Sequence, residues 1–332
     1  MREAIGNREL IQLDGLGVRL QGTYHLPADS SQGKPVGSAS LNRVGVVFVN
    51  SLSLPRAASG DSAVHWADSI AQHGYPAFRI DLPGLGDSEG LASTGLLNSI
   101  NAGDFASVAA AAVEQLVDRF GLSGVVIFGH CAGAVSALYA GAASSHCMGL
   151  VLLDPYFHLP LAERPKVRQQ LSNWARRSKI GTQASNIYDQ VRDLRLSLRG
   201  NTPPANANFP LLAKWKQLAT AGLPILLLQA PGIKSQGRKP RVGQFDYIEH
   251  AVKLAGRKNR VSVEFVGSAD HSFANREGRA AVEQHMTDWL LANFPLPEFE
   301  FDASHLSLMH AGESQDNGGG SHGHFIKFHE NA

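Results

Sequence analysis

Apolar residues along this chain fall into short unbroken runs separated by longer stretches of helical period. Residues 44–49, 125–128, 150–153 and 225–228 are continuous apolar runs rich in Val, Ile, Leu and Phe. Runs of this length predict strands buried on both faces, as a parallel sheet between two helical layers requires. Further strands are predicted at 76–80 and 261–266, and 9–13 with 18–26 reads as an opening hairpin turning at Asp14-Gly15. Between the strands, helical patterns cover 65–73, 102–120, 134–143, 245–255 and 276–291. The alternation predicts an α/β fold, a mostly parallel sheet with helices on both faces.

Two pieces interrupt the alternation. Residues 155–222 lie between predicted strands and read as a helical, basic lid. Residues 295–332 contain Gly318-Gly319-Gly320 and then His322, His324 and His329, and read as a flexible tail. The expected layout is a core in two parts, 1–154 and 223–294, with the lid between them and the tail behind.

One junction carries chemistry. The apolar run 125–128 ends in Gly129-His130-Cys131-Ala132-Gly133 and passes directly into an alanine-rich helical pattern. Strand, tight turn and helix in this order form the context of a nucleophile elbow, which lifts one reactive side chain onto a strained turn. Glycines at 129 and 133 suit a turn with no room for β-carbons. The N-terminus of the following helix stabilises negative charge on the Cys131 sulfur. The backbone N–H of Ala132, next after the nucleophile, is then one oxyanion-hole donor.

Composition narrows the setting. The chain has 332 residues, 43% of them hydrophobic, enough for a large core. A net charge of +1 gives no global reason to expect nucleic acid. The two cysteines, Cys131 and Cys147, form no disulfide framework and match no metal-ligand spacing. The first ten residues lack an apolar signal core, and no apolar run is long enough to span a membrane. The expected location is therefore a reducing cytoplasm, where a free thiol stays usable. No cofactor or metal is expected.

The loop Asp81-Leu82-Pro83-Gly84-Leu85-Gly86-Asp87-Ser88 after the strand at 76–80, the elbow, Leu152-Leu153-Asp154-Pro155, and Ala269-Asp270-His271-Ser272-Phe273 together resemble the α/β-hydrolase superfamily across residues 8–293. Within it the chain looks nearest to exosortase-system-associated hydrolases. It is similar in concept to dienelactone hydrolases, bile-acid acyltransferases and the carrier-protein aminoacyltransferases that use cysteine on this fold. The resemblance implies a triad in the chain order nucleophile, acid, histidine.

That order makes His271 the base, on the loop between the last predicted strand and the last helix. His130 competes, but its place beside Cys131 suits lining the pocket. The usual acid position after the strand at 225–228 offers only Gln229-Ala230-Pro231-Gly232-Ile233-Lys234. The resemblance supplies an alternative position at Asp154, with Asp246 behind it and a Cys–His dyad without an acid also open. It places the second oxyanion donor after the strand at 44–49, at Ser51 or Leu52, with Asn50 as a side-chain donor.

Charge and chemistry point to a substrate class. Between Leu161 and Lys216 eleven Lys and Arg stand against three acidic residues, a local net charge of +8, and a second basic loop spans 234–241. Such a surface suits an acidic carrier protein or a coenzyme A phosphate. An acyl-cysteine is itself a thioester, so exchange with a thioester is nearly isoenergetic. The expected function is acyl transfer or thioester hydrolysis through acyl-Cys131. A carboxylic ester or lactone hydrolase with the same machinery, or a degenerate hydrolase acting only as a binding module, are the alternatives.

Overall fold

In the computed structural model the described residues are 8–28, 43–50, 52, 54–91, 94–160, 202–231, 245–256 and 259–296. The chain opens with β1 (Arg8–Asp14) and β2 (Arg19–His25), an antiparallel pair in the register Arg8↔His25 to Asp14↔Arg19. The hairpin closes through Gly15 N–H to the Val18 carbonyl at 2.7 Å. There follow β3 (Val44–Val49), α1 (Ser62–Gln72), β4 (Ala77–Ile80), α2 (Leu96–Ala102) and α3 (Ala106–Phe120). Then come β5 (Gly124–His130), α4 (Ala132–Ala143), β6 (Cys147–Leu153), α5 (Phe209–Thr220) and β7 (Ile225–Gln229). The described chain ends with α6 (Tyr247–Ala255), β8 (Val261–Phe265) and α7 (Arg276–Asn293).

The eight strands form one sheet in the order β1-β2-β4-β3-β5-β6-β7-β8, parallel from β4 to β8. Period-two alternation divides the strands between two cores. Val125 and Ile127 of β5 face one core with Leu116 of α3, Leu138 of α4 and Trp215 of α5. Val126 and Phe128 face the other with Trp66 of α1 and Met286 of α7. Phe128 packs its ring 4.5 Å from Phe48 and 5.3 Å from Trp66. Each such side chain, fully buried, contributes about 1.5–3 kcal/mol. β5 is therefore a stiff base for whatever stands at its C-terminal end.

Three expectations change. The helix predicted at 102–120 begins only at Ala106, as α3, and a second helix the pattern did not predict, α2, precedes it at a 70° bend across Gly103, whose φ of 82° no ordinary helical residue adopts. The flanks of the expected lid belong to the core. Phe157 is fully buried and its ring meets that of Trp215 edge-on at 5.5 Å, and α5 buries Leu211, Leu212, Trp215 and Ala219 while Lys214 and Lys216 face solvent. The middle of that segment, 161–201, and the basic loop 234–241 lie outside the described residues. Leu296, placed by the sequence pattern in the tail, packs against the second core, and 297–332 lie outside the described residues. Among the described residues no single helix is long and apolar enough to cross a membrane.

Candidate active site

At the C-terminal end of β5 the chain reverses into α4 within one residue. Cys131 sits at φ 53°, ψ −114°, a conformation that strains any residue with a β-carbon. Its neighbours hold it there. Cys131 N–H donates to the Leu153 carbonyl at 2.8 Å, and the Cys131 carbonyl accepts from Ala134 N–H at 3.1 Å. A β-carbon on Gly129 would lie 2.2 Å from the Gly133 carbonyl oxygen, and one on Gly133 would lie 2.9 Å from the carbonyl oxygens of Val49 and Asn50. The two glycines thus let strand, helix and the end of β3 meet without side chains between them. Ala132 opens α4, where backbone N–H groups have no intrahelical acceptor.

Asp154 follows β6 directly, at φ 42°. Its N–H donates to the Leu228 carbonyl at 2.8 Å, and its Oδ1 accepts from Ala230 N–H at 2.9 Å. The second oxygen, Oδ2, accepts from His271 Nδ1 at 2.9 Å. The structure thus brings Cys131, His271 and Asp154 together. Hydrogen bonds from the His271 ring, first to Asp154 and then to the Cys131 sulfur, raise its pKa to about 10 although the side chain is 63% exposed. A histidine raised in the folded state keeps its proton at neutral pH. The associated folding stability is full below about 6.5 and lost as pH rises through about 10. A proton NMR titration of the His271 ring should therefore show a midpoint far above 6.5, moving down toward 6.5 in Asp154→Asn. A wild-type midpoint near 6.5 would contradict the arrangement.

The neighbouring groups take other roles. His130 is 8% exposed, and its Nε2 lies 2.7 Å from the His271 carbonyl, which can only accept, so that nitrogen carries the proton. Burial lowers the His130 pKa and keeps the ring neutral. It braces the backbone of the loop that carries His271. Asp270 turns its carboxylate onto Ser272 N–H and Oγ, and those bonds hold it below the usual carboxylate range. Phe273, fully buried, anchors the same loop. Asp246 caps α6, accepting from Ile248 N–H and Glu249 N–H at 3.0 Å each. Burial pushes the Cys147 thiol up to about 12, which leaves it a poor nucleophile.

The second oxyanion donor is less directly placed. Ser51 lies outside the described residues. Leu52 is 38% exposed at φ 44°. Asn50 is corrected as a side-chain donor, because its Nδ2 donates to the Leu54 carbonyl at 2.9 Å and to Asp81 Oδ1 at 3.2 Å. Two supports of the site escaped the sequence reading, the His130 brace and the Ala230 N–H. Neither has a local signal, since each reaches a partner far along the chain.

A family model described as alpha/beta hydrolase fold matches residues 46–225. Solved structures repeat the fold at low identity. A dienelactone hydrolase from Anabaena variabilis is 17% identical with a TM-score of 0.52, covering 87% of this chain and 99% of its own. The Pyrococcus furiosus esterase Pf2001 is 12% identical with a TM-score of 0.54, covering 86% and 93%. DcsB, solved with a substrate analogue, is 14% identical with a TM-score of 0.52, covering 86% and 99%. None of the curated protein sequences compared with the chain matches it. With its sheet order, its elbow and the family match over more than half its length, the chain belongs to the α/β-hydrolase fold family.

Proposed function

We propose that this α/β-hydrolase uses Cys131 as a nucleophile on acyl thioesters, transferring the acyl group to an acceptor or to water. The observation that carries the reading is the contact of His271 with both Asp154 and Cys131, with Cys131 on the strained turn at the head of α4. The Cys131 sulfur attacks the thioester carbonyl carbon, and the carbonyl π pair moves onto oxygen. The Ala132 N–H and an N–H of the turn after β3 receive that oxygen's charge. Its collapse breaks the bond to the departing sulfur, which takes the proton held on His271 Nε2, the ring nitrogen not engaged by Asp154. The acceptor, an amine, a thiol or water, then gives its proton back to Nε2 as it attacks acyl-Cys131, and the sulfur leaves as a thiolate beside the renewed imidazolium. Cysteine favours the thioester class because the donor and the intermediate are the same functional group. The basic stretch 161–216 would draw in a substrate carried on an acidic protein or a coenzyme.

Intact-mass measurement after incubation with a panel of acyl thioesters tests this. A mass gain equal to the acyl group, located on Cys131 and absent from Cys131→Ala, supports the reading. Turnover of simple esters and lactones without thioester turnover moves the assignment to carboxylic ester hydrolysis. Absence of both adduct and turnover across the panel leaves a binding module.

A further inference from the structure

Away from the catalytic machinery, the two edges of the sheet end differently. At the β1 edge, side chains of α3 occupy the outward backbone groups. Gln115 Oε1 accepts from Asp14 N–H at 2.9 Å, Gln115 Nε2 donates to the Asp14 carbonyl, and Arg119 Nη1 donates to the Gln12 carbonyl at 3.4 Å. At the other edge, β8, most of the outward backbone is bare. β8 lies beyond β7 in the parallel register Ile225↔Val261 to Gln229↔Phe265. Ile225 N–H donates to the Arg260 carbonyl at 3.0 Å, and Val266 N–H to the Gln229 carbonyl at 2.8 Å. A parallel ladder in that phase turns the peptide groups of Ser262 and Glu264 toward β7, and those of Val261, Val263 and Phe265 outward. Val261 N–H is taken locally by Asn259 Oδ1 at 3.0 Å. The Val261 carbonyl and both backbone groups of Val263 and Phe265 have no partner among the described residues, and the Phe265 side chain is 68% exposed. An open edge of this kind is a template for another strand.

We infer that β8 is the surface through which two copies of this chain associate, their β8 strands pairing antiparallel about a two-fold axis at Ser262. Charge along the strand selects this occupant. With Ser262 on the axis, Arg260 of each copy stands directly opposite Glu264 of the other, so one strand carries both halves of two symmetric ion pairs. Charges on an edge ordinarily repel a second copy, but here the two signs sit where the symmetry brings them together. Both side chains are free to meet across the axis. Arg260 and Glu264 are exposed, Arg260 reaches only the neutral Asn293 Oδ1 at 2.8 Å, and Glu264 has no ionic partner among the described residues. The hydrogen bonds agree with the charges. In this register the outward groups of Val261 face those of Val263 of the second copy, so Val263 N–H can donate to the bare Val261 carbonyl in both directions. Phe265 then lies diagonally across from Val261 of the second copy, which removes apolar surface from water. Moving the axis to Val263 would set Glu264 opposite Ser262 and lose both ion pairs. The inference stands apart from the reaction proposed above, since every group it uses lies on the edge strand.

Sedimentation equilibrium of the full chain tests this. The apparent mass should rise toward twice the chain mass with concentration. Arg260→Glu or Glu264→Arg alone should weaken the dimer about tenfold or more, because attraction becomes repulsion at two symmetric positions. The double variant Arg260→Glu/Glu264→Arg should return the dissociation constant to within about threefold of wild type, a rescue that requires residue 260 to meet residue 264 of the other copy. Ser262→Cys should form an intermolecular disulfide at that position under mild oxidation, since facing α-carbons in a pair of this kind lie about 4.5 Å apart. All three positions are exposed, so the fold tolerates the changes. A chain that stays monomeric, a dimer indifferent to the single reversals, or a double variant without rescue overturns the inference. A monomer whose Val263 and Phe265 amides resist hydrogen exchange overturns it too, and gives the edge to another segment of the same chain.

Discussion

Cys131→Ala should eliminate turnover, with residual activity at least about 10⁴-fold below wild type, while Cys147→Ala stays within about twofold. The asymmetry follows from geometry. The Cys131 sulfur stands at the head of α4 in contact with His271, and nothing else in the described structure replaces it. Loss of a nucleophile that acts as a unit with its base removes nearly all the benefit of both. The Cys147 thiol, by contrast, is held protonated by burial and faces the Gly149 carbonyl. Substrate turnover and intact-mass labelling measure both variants. Full activity in Cys131→Ala would dispose of the covalent mechanism.

Asp154→Asn has the second-largest expected effect, a fall of about 10- to 100-fold in the acylation rate. The substitution preserves the strut, because an amide oxygen still accepts from Ala230 N–H. It places an NH₂ group opposite His271 Nδ1, where the ring needs an acceptor. The imidazole is then driven to the other tautomer or turned away, and its pKa falls from about 10 toward the ordinary value. In serine triads the equivalent change costs about 10⁴-fold. The smaller figure here reflects a sulfur nucleophile, which leans less on a base than a serine hydroxyl does. Thermal melting should show a change small beside the kinetic one. A rate within about threefold of wild type would assign the chemistry to a Cys–His dyad.

The parts of the fold that were legible in the sequence are those where one physical term dominates. β3, β5, β6 and β7 lie in continuous apolar runs because burial on both faces leaves no other choice. The pattern failed around Gly103, whose left-handed φ separates α3 from α2, a helix the sequence reading did not predict. It also failed at Phe157 and Trp215, core residues in a stretch whose many basic positions read as a solvent-facing lid. The site divides in the same way. Cys131 stands in an elbow written in consecutive residues, while the places of His271 and Asp154 came from the family resemblance, with Asp154 one of several acids left open. The Ala230 strut and the His130 brace join residues 76 and 141 positions apart, through a backbone N–H and a backbone carbonyl. Backbone groups are common to every residue and leave no trace in composition.

One short stretch of β6 ties the two halves of the site together. The Leu153 carbonyl receives the Cys131 N–H, and the next residue, Asp154, carries the carboxylate that holds His271. Sulfur and imidazole are thus referenced to the same peptide unit, as two instruments are bolted to one bench. A displacement of the end of β6 that keeps its register with β5 carries turn and imidazole together, whereas a slide of β6 along β5 would break the Cys131 bond and separate them. The distance a proton must cross is therefore set by the register of β5 against β6, and the loop of His271 is the one part of the site held to that register by side chains alone.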